Sequence, residues 1–260
     1  MKIAVCVKSV PDTESKIAVA ANKQNIDFGG LRFIISPYDE FALEAALALK
    51  EKHGGETFVF SVGGPEVTEV LRDSLAYGID NAIHLLDPAF ENLDPLSVSK
   101  VLAAAIKDGG FDLVLCGQQG FGGDNSQVPS ILAELLDMPQ AMMVVKLGVE
   151  GSKFRAEREI EGAHEIVEGT LPAVISAQKG LPDLRNKTIK GVMAARKKEI
   201  EVKGANALGL AGQIGGAAQK MRIREMSPPP ARPEGRFLDG DVDHQVKELV
   251  RLLRQEAKII

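Results

Sequence analysis

Phe111-Asp-Leu-Val-Leu-Cys116 runs into Gly117-Gln-Gln-Gly-Phe-Gly-Gly-Asp124, which runs into Asn125-Ser-Gln-Val-Pro-Ser-Ile-Leu-Ala-Glu-Leu-Leu136. The first piece is a short apolar run of buried-strand type. The second is a loop crowded with glycine. The third returns to helical spacing. A strand, a glycine loop and a helix start in that order make an anion site: glycines let backbone N–H groups approach a ligand, and the helix N-terminus adds partial positive charge. Asp124 or Asn125 is the expected N-cap, and Pro129 falls in the first turn, where its missing N–H costs nothing. The loop Gly117–Val128 is therefore read as holding the phosphate of a nucleotide, against the alternative of an ordinary strand-to-helix turn.

The same alternation extends toward the N-terminus. Lys2–Lys8 is a continuous apolar strand of the kind covered on both faces of a parallel sheet, ending in a turn at Lys8-Ser-Val-Pro-Asp12. Thr13–Ile35 is irregular, with hints of strands at Lys16–Val19 and Phe33–Ile35. Ser36-Pro-Tyr-Asp-Glu40 opens a helix, with Ser36 as cap, Pro37 in the first turn and two acids near the positive end. Thr57–Ser61 and Ala82–Leu86 are further strands, separated by a helix over Glu66–Tyr77 that Gly78 stops. Asp94-Pro95 starts the helix that leads back to Phe111. Such an order predicts an α/β fold: a Rossmann-like, doubly wound parallel sheet with right-handed crossovers. Ligands of such sheets sit beyond the C-terminal strand ends. The junctions Lys8–Pro11, Val62–Pro65 and Gly117–Asp124 share that edge.

Beyond Met138-Pro139 the pattern changes. Val144–Leu147, Lys153–Arg158 and His164–Val167 read as a small antiparallel addition, turning at Glu150-Gly-Ser152 and Glu161-Gly162. Leu171–Ser176 is another buried strand. Gln178–Lys190 is polar, with Gly180 and Pro182, and reads as a loop; Arg196-Lys-Lys198 reads as a solvated basic face. Ser227-Pro-Pro-Pro-Ala-Arg-Pro233 is a stiff linker, and Asp243–Glu256 an amphipathic helix with Val246, Leu249, Val250 and Leu253 on one face. Two regions follow: a nucleotide-binding domain over 1–226, and a C-terminal arm over 227–260 expected to pack on another subunit.

Composition excludes whole classes. At 260 residues, 45% hydrophobic and 26% charged, the chain has the make-up of a globular protein with a sizeable core. A net charge of −5 argues against a nucleic-acid binder. No apolar run is long enough to span a bilayer, and Met1–Val7 is too short for a secretory leader, so a cytoplasmic protein is expected. The two cysteines, Cys6 and Cys116, read as small core residues of a reducing compartment, and no spacing suggests a metal site. No nucleophile–base set is visible among His53, His84, His164 and His244. No G-x-G-x-x-G joins the first strand to the first helix, and no Walker lysine follows the central loop. Ser61-Val-Gly-Gly-Pro65 is similar to the phosphate loop of ATP pyrophosphatases but lacks its Asp-Ser ending. These residues suit holding a nucleotide better than cleaving one.

Four stretches carry a resemblance that spans nearly the whole chain: Val5-Cys-Val-Lys-Ser-Val-Pro-Asp12; Ser36-Pro-Tyr-Asp-Glu-Phe-Ala-Leu-Glu-Ala-Ala-Leu47; the Gly117–Leu136 loop and helix; and Arg158-Glu-Ile-Glu-Gly-Ala-His-Glu-Ile-Val-Glu-Gly-Thr-Leu-Pro172. Together they resemble the β-subunit family of electron-transfer flavoproteins. The resemblance implies an adenine nucleotide α-hydrolase-like fold and an α/β heterodimer without catalysis of its own. One redox-active FAD is held mainly by the α subunit, and AMP is buried in the β subunit. A bifurcating subset holds a second FAD in place of AMP. A stand-alone nucleotide-binding protein of the universal-stress kind is the more distant alternative.

By the same resemblance, Cys6, Ser36, Pro37, Tyr38, Asp39, Gly63, Gly117, Gln118, Gln119, Gly122, Gly123, Asp124, Asn125, Ser126, Gln127 and Val128 are the cofactor-binding positions, with Tyr38 approaching the flavin. The implied partners are the α subunit, acyl-CoA or other dehydrogenases as donors and a quinone oxidoreductase as acceptor. A eukaryotic member would sit in the mitochondrial matrix. The polar segment Gln178–Lys190 matches the family's recognition loop, with Leu181 as its expected protruding anchor and Leu184 as a second candidate.

Overall fold

A computed structural model describes residues 1–232 and 234–260; Pro233 of the expected linker lies outside the described residues. The chain divides into two compact units, Met1–Ile17 with Asp27–Arg224, and Ala18–Ile26 with Glu225–Ile260.

In the first unit the elements follow in order: β1 (Lys2–Cys6), β2 (Ser9–Pro11), β3 (Phe33–Ile35), α1 (Pro37–His53), β4 (Glu56–Val62), α2 (Val67–Tyr77), β5 (Asn81–Leu85), α3 (Pro95–Ile106), β6 (Leu113–Gly117) and α4 (Val128–Leu136). The series continues with β7 (Gln140–Glu150), β8 (Lys153–Ile160), β9 (Ala163–Thr170), β10 (Ala173–Ala177), α5 (Ile189–Lys197) and β11 (Ile200–Lys203). Nine strands form one sheet in the order β11-β5-β4-β1-β6-β10-β7-β8-β9. It is parallel from β11 through β7, and β8 and β9 continue it antiparallel. The doubly wound α/β expectation therefore holds, as does the antiparallel addition.

The apolar runs of β1, β6 and β10 are continuous because both sheet faces are covered. On one face Ile3, Val5, Leu113, Leu115 and Ile175 pack with Leu43, Leu47, Leu71 and Leu75 of α1 and α2. On the other, Ala4, Cys6, Val114 and Cys116 pack with Leu102, Ile106, Leu132 and Ala133 of α3 and α4. Asp94 caps α3 by accepting Ser97 N–H (2.8 Å), and its second oxygen accepts Lys220 N–H (2.6 Å) and Met221 N–H (3.0 Å). These bonds outweigh its burial and hold its carboxyl down at about 2.

Several local expectations are corrected. The turn after β1 contains a strand, β2, paired antiparallel with β3. Its pattern is three residues long, too short for alternation to register. Ser36 precedes α1 but makes no capping bond; its hydroxyl accepts Phe121 N–H (3.2 Å) from the glycine loop. Neither Asp124 nor Asn125 caps α4, which starts at Val128 after Gln127. The Asp124 carboxylate instead accepts from the Gln119 side chain (3.0 Å). The basic stretch Arg196–Lys198 is not simply solvated: Lys198 Nζ donates to the carbonyls of Ile79 (2.8 Å) and Asp80 (3.0 Å), seating the edge strand β11 beside β5.

The segment after β10 is also tied down. Arg185 donates its backbone N–H and guanidinium to Glu44 (2.8–3.2 Å) and reaches Glu51, both on α1. Those charge-assisted bonds draw the polar loop onto the body. Leu181 is 7% exposed inside the α1/α2-side core, and Leu184 packs on the same cluster. The expectation that Leu181 protrudes is thus overturned. The exposed apolar side chains of this region come one helix later: Ile189 at 83% and Met193 at 61%, one turn apart on α5.

In the second unit, α6 (Val242–Gln255) is capped by Asp241, which accepts His244 N–H at 2.9 Å. The unit also takes in Ala18–Ile26, joined to the start of the arm by Met226 N–H donating to Lys23 C=O (2.7 Å) and by the Lys23–Glu225 ion pair (3.0 Å).

Candidate functional site at the sheet switch point

The chain leaves β1 toward β4 and β5 on one side, then returns to lay β6 on the other side of β1. The C-terminal ends of β1 and β6 therefore diverge into loops running opposite ways, the crevice where doubly wound sheets bind ligands. A cleft of about 230 Å³ opens there. Its floor is Cys6, Val7 and Cys116; one wall is Leu93, Pro95, Val98 and Leu102 of α3 and the segment before it; the other is the loop from Gly117 to Pro129.

Asp39 fastens the crevice. It sits in the first turn of α1, and its Oδ2 accepts Lys8 N–H (2.7 Å) while Oδ1 accepts Gly117 N–H (2.9 Å). One carboxylate thus joins the ends of both diverging strands. Gly117 permits this, because a Cβ there would lie 2.3 Å from Asp39 Oδ1 and 2.7 Å from the Asp39 backbone nitrogen. Lys8 reaches under the loop, its Nζ donating to Phe121 C=O (3.3 Å). A Cβ on Gly120 would meet Lys8 Cδ at 2.5 Å. Of the residues lining the cleft, Lys8 carries the cation, and Asp39 and Asp124 the anions.

Burial dominates the electrostatics. It pushes the Asp39 carboxyl up to about 7, against the pull of the two backbone N–H groups and of Lys8. Burial also pulls Lys8 below the usual ammonium range, opposed by Asp39 and Asp124. An acid whose folded pKa is raised favours the folded state below its unfolded value of 3.8, and that contribution is lost as pH rises through about 7. Wild-type stability minus that of Asp39→Asn is expected to fall between pH 4 and 7, by up to about 1.4 kcal/mol per pH unit. Urea midpoints across that range check this; a flat difference would mean that Asp39 stays ionised.

The structure brings ten of the expected residues to the cleft: Cys6, Asp39, Gly117, Gln119, Gly123, Asp124, Asn125, Ser126, Gln127 and Val128. Ser36, Pro37, Tyr38, Gly63, Gln118 and Gly122 lie outside its lining, although Ser36 holds the loop through Phe121. Lys8 and the α3 wall escaped the sequence reading. Lys8 had a signal, a cation at the C-terminal end of the first buried strand. Cys116 was expected as a core residue only; it and Cys6 are both buried, and both face the cleft. Among the described residues, no group of three or more His, Cys, Asp or Glu is placed to hold a metal ion, and no helix is long and apolar enough to cross a membrane.

Comparison with known proteins adds to this geometry. The family profile described as "Electron transfer flavoprotein domain" matches residues 26–208. The electron transfer flavoprotein subunit beta of Bacillus subtilis (strain 168) is 40% identical over 261 residues, covering all of both chains. The subunit of that name from Bos taurus is 35% identical over 257 residues, covering 97% of this chain and 99% of its own. A protein of Acetobacterium woodii named as the CarD subunit of a caffeyl-CoA reductase–Etf complex is 34% identical over 260 residues, covering 98% and 99%.

Proposed function

This chain belongs to the electron transfer flavoprotein family, as a β subunit, and from that premise we propose that it buries one AMP in the cleft between β1 and β6 while completing the FAD site of an α subunit. The observation that carries the AMP reading is the glycine-walled cleft at the switch point, with Lys8 beneath its loop. Backbone N–H groups between Asp124 and Val128, at the entrance to α4, suit a phosphate, and the apolar α3 wall suits a base. FAD, when bound, supplies the redox chemistry, and Tyr38 in the first turn of α1 is the aromatic side chain this subunit would offer it.

In this reading the protein is a carrier, taking electrons from acyl-CoA or other dehydrogenases and passing them to a quinone oxidoreductase or another acceptor. Denaturing the purified heterodimer and weighing the released nucleotides tests it. AMP equimolar with one FAD is expected. Two FAD per heterodimer would assign the chain to the bifurcating subset, and no adenine nucleotide beyond FAD would overturn the cleft assignment.

Donor docking belongs on α5. Thr188 caps this helix by accepting Gly191 N–H (3.0 Å), and Gly191 lets it lie close on α2, since a Cβ there would sit 2.4 Å from Ala76 C=O. Arg72 of α2 donates to the carbonyls of Ala195 and Lys198. A helix so fixed presents Ile189 and Met193 as rigid apolar anchors, flanked by Lys190, Arg196 and Lys197. Replacing both anchors with Ala is expected to raise the apparent KM of a donor dehydrogenase for the flavoprotein about tenfold to hundredfold with little change in Tm. Leu181→Ala, a buried truncation, is expected to do the reverse, lowering stability by about 2–4 kcal/mol. An unchanged KM in the double variant would remove α5 from the docking surface.

A further inference from the structure

Cys6 and Cys116 stand opposite each other in register on β1 and β6. In-register residues on neighbouring parallel strands project to the same face, and both cysteines pack in the α3/α4-side cluster. Both are free, buried thiols, and both line the floor of the cleft. Neighbouring strands lie about 4.8 Å apart, inside the roughly 4.4–6.8 Å range of Cα separations that a disulfide spans. A bond between side chains projecting side by side is strained, which places it with the labile, reversible disulfides rather than the structural ones.

We propose that Cys6 and Cys116 form a dithiol site for hydroperoxides, whose oxidation to a cross-strand disulfide loosens the nucleotide cleft. The inference rests on the nucleotide reading of that cleft. A hydroperoxide oxidises one thiol to a sulfenic acid: the O–O bond breaks, an S–O bond forms, and water leaves when the oxidant is hydrogen peroxide. The second thiol then attacks that sulfur, the S–S bond forms, and the S–O oxygen leaves as a second water. Two thiols lose two hydrogens in all, and one peroxide gives two waters. The neighbouring Cys6 sulfur and burial push the Cys116 thiol well above its usual range. Either sulfur can be oxidised first, with the other as the resolving thiol. A reduced flavin that meets oxygen makes hydrogen peroxide, so a carrier of flavin electrons has the oxidant at hand.

The consequence follows from what adjoins the pair. Gly117 follows Cys116 directly and Lys8 comes two residues after Cys6, and these are the two N–H donors that Asp39 holds. Drawing the sulfurs together shifts both strand ends against that clamp. A bound nucleotide, in turn, covers the thiols, so oxidation belongs to the empty cleft.

The test uses the heterodimer, freed of releasable nucleotide, treated with hydrogen peroxide and digested without reductant. The expected product is one linked peptide pair carrying Cys6 and Cys116, lighter than the separate peptides by two hydrogens and absent from Cys6→Ser and Cys116→Ser. Added AMP is expected to slow its formation, and the oxidised protein to hold AMP about tenfold more weakly until dithiothreitol restores it. Two free thiols, or sulfinic acids without a linked pair, would overturn the proposal. A linked pair with unaltered AMP affinity would overturn the coupling to the cleft. If neither redox form holds AMP, the nucleotide reading fails, and the peptide map still decides the thiol chemistry.

Discussion

Gly117→Ala is expected to lower stability by roughly 3–5 kcal/mol, combining the overpacking of a tight site with the loss of a buried charge-assisted hydrogen bond. The added methyl would lie 2.3 Å from Asp39 Oδ1 and 2.7 Å from both the Asp39 nitrogen and the Tyr38 carbonyl carbon. Two of those three atoms are backbone of the first turn of α1, so no rotamer change relieves the clash. Either β6 retreats from α1, or Asp39 is pushed off Gly117 N–H, leaving a buried donor unpaired and a carboxylate held on one side only. Nucleotide retention should fall with stability, because Gly117 is the base of the loop. Gly123→Ala is the control: its Cβ would meet nothing closer than Lys8 Nζ at 3.5 Å, an ordinary contact. That variant should unfold within about 0.5 kcal/mol of wild type. Gly123→Val, bulkier and on the ligand side of the loop, should lose nucleotide while keeping its midpoint. Urea denaturation with nucleotide release measures both quantities. Equal midpoints for Gly117→Ala and Gly123→Ala would show that the clamp does not bear on stability.

The parts of this architecture legible in sequence are those with a long or doubly covered apolar pattern. β1, β4, β6 and β10 announce themselves as continuous apolar runs, and the glycine loop after β6 marks the cleft because a close backbone approach admits few other residues. What stayed illegible depends on partners distant in sequence. Asp39 reads as a helix-start acid suited to the macrodipole. Its work is to join residues 31 positions before it and 78 after it. Ser36 reads as a cap, yet the loop at Phe121 takes its hydroxyl. Leu181 reads as a loop tip between Gly180 and Pro182. What buries the segment is Arg185 finding Glu44, 141 residues away. In each case local propensity is satisfied equally well by several outcomes, and a tertiary hydrogen bond chooses among them. The cysteine pair shows the same limit: each is a plausible core residue alone, and only the register of β1 with β6 makes them neighbours.

Removing 227–260 is expected to leave the first unit folded and to weaken association with the α subunit at least about hundredfold, or roughly 3 kcal/mol. Both core clusters draw their residues from positions up to Ile214, so the truncation takes nothing from them. A chain ending at Met226 also keeps the Met226–Lys23 hydrogen bond and the Lys23–Glu225 pair that secure the arm's origin. What it loses is α6, whose Val242, Val246, Leu249 and Val250 are exposed. Positions 242, 246, 249 and 250 repeat at helical spacing and form one stripe. An amphipathic helix with its apolar stripe in water gains little by folding alone, and a partner's groove is the usual way to bury it. Full-length Val246→Asp/Leu249→Asp separates the stripe from the linker: it keeps the arm's length and puts charge where burial is required. Its affinity for α should fall close to that of the truncation, with the first unit's Tm unmoved. Titration of labelled α subunit measures both variants. Wild-type affinity in the truncation would place the whole interface on the first unit. Wild-type affinity in the double variant alone would show that the segment before α6, and not the helix, holds the partner.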